Sequence, residues 1–443
     1  LPRSSEMLGY YLELGLRSLR SHRGLTVLML LSIAMGVAAC MTTLTVFHVL
    51  SGDPIPHKSA RLFNVQLDAE PMSDYQPGGE PELQLTRTDA ENLLREKRGR
   101  HQVAMTGGSL AVDPAGSGLT NSSPFFATTR YASADFFAMF DAPFAHGRGW
   151  TAADDEAQAR VVVLSAELNE RLFGGADSRG RNVRLRDKDF IVVGVLKDWR
   201  PAPHYFDLTA GAYAKPAELY LPLATSLALR FGSMGTMNCW GNNGGRDPRA
   251  LNSNCAWLQY WVQLDTADEE RAYRQYLLDY SEQQRRAGRF ERPANPRLSP
   301  VMEWLSKRKV VPSDVRLQVW LAFGFLVVCL VNTVGLLLAK CLRRAGEIGV
   351  RRALGAPRRQ IFLQFLVEAG SLGLAGGLLG LLLTLAGLWL VRLSPAPYAA
   401  LAQLDWAMFA TTLALSLLAS LAAGLLPAWR ACQIAPALQL KSQ

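Results

Sequence analysis

Cys239 and Cys255 carry the most specific chemistry in the sequence. Of six cysteines, these two bound the stretch CWGNNGGRDPRALNSNC, which is rich in Gly and Asn and has too few apolar residues to order itself. In an oxidising compartment the two thiols would join as a disulfide, and closing a loop of about 15 residues stabilises by roughly 3 kcal/mol in the chain-entropy model. The alternative is two free thiols. The six histidines, His22, His48, His57, His101, His146 and His204, are scattered without ligand spacing, so no metal site is expected. No GxxxxGK[ST], GxSxG or HExxH stretch occurs, which leaves no P-loop for ATP and no catalytic residue to assign. The other chemistry-bearing stretch is CLRRAGEIGVRRALGAPRRQIFLQFLVEAG, residues 341–370. It reads as a short helix with Ile348, Val350 and Leu354 set among arginines, broken by Gly355 and Pro357. Such a helix can dock its apolar side in a groove of a soluble partner while the arginines hold it at a lipid surface.

The elements that must position these residues follow from hydrophobic length. Residues 25–50, 317–339, 361–392 and 406–426 are long and nearly free of charge, and each reaches the roughly 20 residues that cross about 30 Å of hydrocarbon as a helix. The first is too long for the apolar part of a signal peptide and is expected to stay as a span. The formal charge of +9 gathers beside these stretches: Lys340, Arg343, Arg344, Arg351, Arg352, Arg358 and Arg359 face Glu347 alone in 340–359, Arg17, Arg20 and Arg23 precede the first span, and Arg430 and Lys441 follow the last. Juxtamembrane basicity of this kind marks cytoplasmic segments, and nucleic acid is not needed to explain it. The expected topology places residues 1–24, 340–360 and the tail 427–443 in the cytoplasm. It places 51–316 and the short loop 393–405 outside. Residues 1–24, with Leu8, Tyr11, Leu12, Leu16 and Leu19 at helical spacing, suit an amphipathic helix on the membrane surface, and Met7 is the expected native start.

Residues 51–316 mix strand and helix signals. A strand at 160–164 leads into a short helix capped by Ser165; strands at 183–186 and 190–196 join around Asp187 and Lys188; a strand-like run, AWLQYWVQL, precedes a helix at 267–286. The expectation is an α+β domain in two lobes, with no clear periodicity at 208–245. Within the spans, Gly373/Gly377 and Gly376/Gly380 form two small-xxx-small pairs, a surface for close helix packing. Packing within the chain is favoured over packing with a second protomer. Asn332 and Thr333 are polar positions in the second span, suited to an interhelical hydrogen bond more than to a conduction path. Arg392 and Asp405 either pair across the outer loop or stand solvated.

The run Glu347, Ile348, Gly349, Val350, Arg351, Arg352, Ala353, Leu354, Gly355 and Ala356 resembles, without a break, the E-I-G-[IV]-R-[RK]-A-[LM]-G-A segment of the MacB/FtsX-like ABC transporter permease family. In that family the segment contacts the nucleotide-binding subunit. The closing stretch is similar too, matching at Pro427, Ala428, Arg430, Ala431 and Pro436 but with Gln439 where the pattern has alanine, and ASADFFAMFDAPFAHGRGWT is similar to the MacB-type periplasmic core. The resemblance implies a multi-domain, multi-pass protein of the bacterial inner membrane, with four transmembrane helices and a large α+β periplasmic domain between the first and second. It implies no cofactor on this chain, with ATP and magnesium held by a separate ABC ATPase subunit. It also implies a second permease, identical or paralogous, a periplasmic adaptor and an outer-membrane duct. Mechanotransmission for efflux is the leading expectation. Lipoprotein release of the Lol type and FtsX-like regulation of a periplasmic enzyme are the alternatives, and an outer domain of about 265 residues argues against the short-domain FtsX form.

Overall fold

Alternation along the strands sends successive side chains to opposite faces of a sheet, and in the computed structural model each face has its own apolar cluster. In the strand β1 (Leu62–Gln66), Phe63 and Val65 join one cluster while Leu62 joins the other. The structure describes residues 23–73, 75–117, 123–241, 245, 247–394 and 398–432. They divide into two compact units, one comprising Gly52–Val310 and the other the helices on either side of it in sequence.

The Gly52–Val310 unit is built on one mixed sheet. After β1 come β2 (Leu85–Thr86), β3 (His101–Asp113), β4 (Phe125–Ala132), β5 (Phe144–Gly147), β6 (Val161–Leu164), β7 (Asn182–Leu185), β8 (Lys188–Leu196) and β9 (Leu219–Pro222). The pairs β10 (Ser233–Met234) and β11 (Asn238–Cys239) precede β12 (Cys255–Gln263) and β13 (Arg297–Pro300). The hydrogen-bonded path runs β13-β1-β12-β3-β4-β9-β6-β8-β5. The two lobes expected from the sequence thus share a single sheet, continuous through the 13-residue β3. β6 and β8 are parallel, and the helix Ala166–Phe173 lies between them in sequence. Its start and stop are written locally: Ser165 accepts from the Leu168 N–H at 3.1 Å, and Gly174 ends it at φ 61°. β12 is buried along all nine residues, Gln259 and Gln263 included, and Thr266 and Glu269 cap the helix Ala267–Arg286 reciprocally. β11 lies against β12 with Cys239 opposite Cys255, and the two are joined as a disulfide.

The other unit holds four helices long and apolar enough to cross a membrane: Arg23–Ser51, Ser313–Arg343, Arg358–Arg392 and Trp406–Cys432. The chain is a multi-pass membrane protein with an α+β domain after its first span. The surface helix expected in 1–24 falls almost wholly outside the described residues, as do residues 433–443 of the tail. The second span runs four residues past its expected end at 339, and the fourth runs through Pro427 to Cys432.

The third span packs against the first and the fourth, and its glycines set how closely it meets them. A Cβ at Gly377 would lie 2.9 Å from the Cβ of Ser416, and one at Gly373 would lie 2.7 Å from that of Ser420, so this pair admits the fourth span. A Cβ at Gly376 would lie 2.9 Å from Ile33, and one at Gly380 would lie 3.2 Å from the Ala34 carbonyl, so the second pair admits the first span. Asn332 donates to Ser32 Oγ at 3.4 Å between spans two and one, while Thr333 bonds back to Cys329 in its own helix. Asp405 caps the fourth span by accepting from the Met408 N–H at 2.7 Å.

Candidate functional site: the 340–368 junction

Between the second and third spans the chain makes a short helix, Ala345–Ala353, and then a turn. Gly355 takes φ 95°, a conformation open to glycine, and Pro357 begins the third span where its missing N–H costs nothing. The sequence places Ile348, Val350 and Leu354 together as an apolar side, but the structure separates them. Ile348 is 6% exposed and packs with Cys341, Ile361, Phe365, Ala428 and Cys432, whereas Val350 is half exposed and Leu354 is 83% exposed. Ile348 therefore anchors the short helix to the spans and is not offered to a partner. Gly349 is buried beside it. The reason is geometric: positions 348 and 350 lie about 200° apart around a helix of 3.6 residues per turn, so they cannot share a face.

Charged side chains complete the anchorage. The Lys340 ammonium, at the end of the second span, donates to the Glu368 carboxylate in the third, and both side chains are 2% exposed. Arg344 reaches the same carboxylate at 3.6 Å and donates to Glu347 at 3.1 Å. Arg351 meets Glu347 one turn on at 2.7 Å and donates to Gln364 Oε1 at 3.1 Å. Burial pushes the Glu347 carboxyl up, but Arg344 and Arg351 outweigh it and hold the group below its ordinary value. Arg352 donates to the Cys432 carbonyl at 3.2 Å, tying the short helix to the fourth span. Glu347, Arg351 and Arg352 are thus braces as well as surface charges. Ala353 closes the helix before exposed Leu354 and Gly355.

The Lys340–Glu368 pair is the feature that sequence reasoning passed over. Its signal is present, because Glu368 is the lone acidic residue in the 35-residue third helix, and a carboxylate in an apolar span requires a partner. Spans two, three and four thus all contact the short helix. Among the described residues no cluster of His, Cys, Asp and Glu is arranged for a metal.

Comparison with known proteins bears on both units. The family model for the MacB-like periplasmic core domain matches residues 26–276, and that for the FtsX-like permease C-terminal matches residues 319–436. The macrolide export ATP-binding/permease protein MacB of Rhodospirillum rubrum is 28% identical over 98% of this chain, which spans 60% of that protein. The uncharacterized ABC transporter permease YvrN of Bacillus subtilis is 25% identical over 84% of the chain and 85% of its own length. The pyoverdine export ATP-binding/permease protein PvdT of Pseudomonas aeruginosa is 25% identical over 70% of the chain, which covers 41% of PvdT. The solved periplasmic region of MacB from Actinobacillus actinomycetemcomitans is 14% identical with a TM-score of 0.37, covering 58% of this chain and 96% of that one.

Proposed function

The chain belongs to the family of ABC transporter permeases that carry a MacB-like periplasmic core domain and an FtsX-like permease domain, and from that premise we propose that it couples an ABC ATPase to export. The supporting observation is the short helix Ala345–Ala353, braced on three spans and presenting Val350 and Leu354 outward. In this reading the ATPase binds ATP and magnesium and receives Val350 and Leu354 in a groove on its surface. The arginines around them lie on the cytoplasmic side of the bacterial inner membrane. Closure of a pair of ATPases drives two permeases, one of them this chain. Spans one and two pass the displacement to the Gly52–Val310 unit, into which they run directly in sequence. That unit works in the periplasm with an adaptor and an outer-membrane duct to expel a substrate.

Val350→Glu and Leu354→Glu test the reading, because both side chains are exposed and their replacement leaves the core intact. The expected outcome is a loss of about tenfold or more in ATPase copurification and in efflux, with an unchanged melting temperature, since a charge pressed into an apolar groove costs more than about 1.4 kcal/mol. Full copurification and efflux with both substitutions in place would overturn the proposal.

A further inference from the structure

In open α/β sheets, ligands settle in the crevice outside the carboxyl ends of parallel strands. The Gly52–Val310 unit has such a place, far in sequence from the 340–368 junction. A cavity of about 280 Å³ lies where β6 ends at Ser165, β8 runs out through 197–200, and the chain enters β9 at 216–220. That is just under the roughly 300–1,000 Å³ of drug-sized pockets, room for one compact ring.

Its wall combines groups that the fold leaves unused. Tyr220 is 2% exposed and its ring is fixed by Phe136 and Phe137 at 5.7 and 5.8 Å, yet its hydroxyl has no hydrogen-bond partner among the described residues. Trp199 stacks on Phe206 at 5.7 Å and 9°, and its indole N–H is likewise unpartnered among the described residues. Lys197 and Arg200 line the cavity, and neither makes an ion pair among the described residues. Three carboxylates, Glu167, Asp198 and Glu218, line it as well, and Glu218 also accepts from the Thr128 N–H at 2.9 Å.

This inventory selects a ligand class. A phosphate or carboxylate would meet more negative charge than positive, and an ammonium would meet Lys197 and Arg200. Interleaved donors and acceptors beside an aromatic wall suit hydroxyl groups, each able to donate and accept, carried on a ring with an apolar face. We propose that the cavity at the carboxyl ends of β6 and β8 binds a neutral saccharide unit, with Tyr220 and Trp199 as donors and Trp199 as the wall. The proposal stands apart from the export reading: the site would operate whether or not the short helix meets an ATPase.

Titration calorimetry on the full chain in lipid nanodiscs tests it, with glucose, galactose and N-acetylglucosamine as probes and inorganic phosphate and methylammonium as controls. The expected result is saturable binding of at least one sugar at millimolar concentration. Tyr220→Phe and Trp199→Phe, which keep an aromatic ring in place, each weaken it about fivefold or more while the melting temperature holds. Saturation by phosphate or methylammonium instead of a sugar, sugar binding unchanged in both variants, or no sugar binding up to about 100 mM would each overturn the proposal.

Discussion

Glu368 lies inside an apolar span, where a carboxylate is costly, and Lys340, with Arg344 at 3.6 Å, makes it tolerable. Breaking a buried pair on one side strands the other charge, at roughly 3–5 kcal/mol, whereas replacing both with apolar groups is often nearly neutral. Glu368→Met should therefore lower the melting temperature of the detergent-solubilised chain sharply by stranding Lys340, and Glu368→Met combined with Lys340→Met should recover most of the loss. A double variant no better than the single would show that the pair does not act as a unit. Asp155, in the Gly52–Val310 unit, gives a pH-dependent test. Burial pushes its carboxyl up to about 7 even though it accepts from the Ala134 N–H at 2.7 Å. The ordinary value is 3.8, so between about pH 4 and 7 the folded state keeps a proton that the unfolded chain has lost, and stability falls as pH rises through that window. Asp155→Asn should raise the melting temperature at about pH 8 and leave it nearly unchanged at about pH 4. Equal effects at both would remove Asp155 as the cause.

Helix against helix, glycines let the third span come close to both the first and the fourth. Gly377→Ala would press on Ser416, an overpacking worth about 1–3 kcal/mol. Ser416→Gly should restore most of the melting temperature that Gly377→Ala removes, and a strictly additive pair would place the contact elsewhere. Much at this scale was legible beforehand. The four spans follow from hydrophobic length, the start of the helix Ala166–Phe173 from Ser165, the β7–β8 hairpin from the residues around Asp187 and Lys188, and the small-residue face from Gly373 to Gly380. What a sequence period cannot supply is the neighbouring element. It marks Gly376 and Gly377 as small without saying that one meets Ile33 and the other Ser416, and it groups Ile348 with Val350 although only the first is enclosed by Ile361 and Ala428. The cavity beside Tyr220 was illegible for the same reason, since β6, β8 and β9 bring together residues up to 55 positions apart, from Ser165 to Tyr220.

At the scale of the whole chain, the disulfide belongs to the Gly52–Val310 unit and the ion pairs of the junction belong to the helical one. Reductant, or Cys239→Ser, should lower the transition of the Gly52–Val310 unit by an amount corresponding to about 3 kcal/mol and leave the helical unit's transition in place. Calorimetry of the full chain distinguishes the two, and a common shift of both would mean that the units unfold as one. The sheet's first and last strands in sequence, β1 and β13, are immediate neighbours, with Phe63 opposite Pro300. The Gly52–Val310 unit accordingly begins and ends its sheet on paired strands, about 4.8 Å apart. The first and second spans are themselves adjacent through Gly36, where a Cβ would lie 2.9 Å from Leu326. A domain whose first and last strands pair closes on itself, so descent with modification can remodel its loops and cavities while the strands that return the chain to the helices stay as they are.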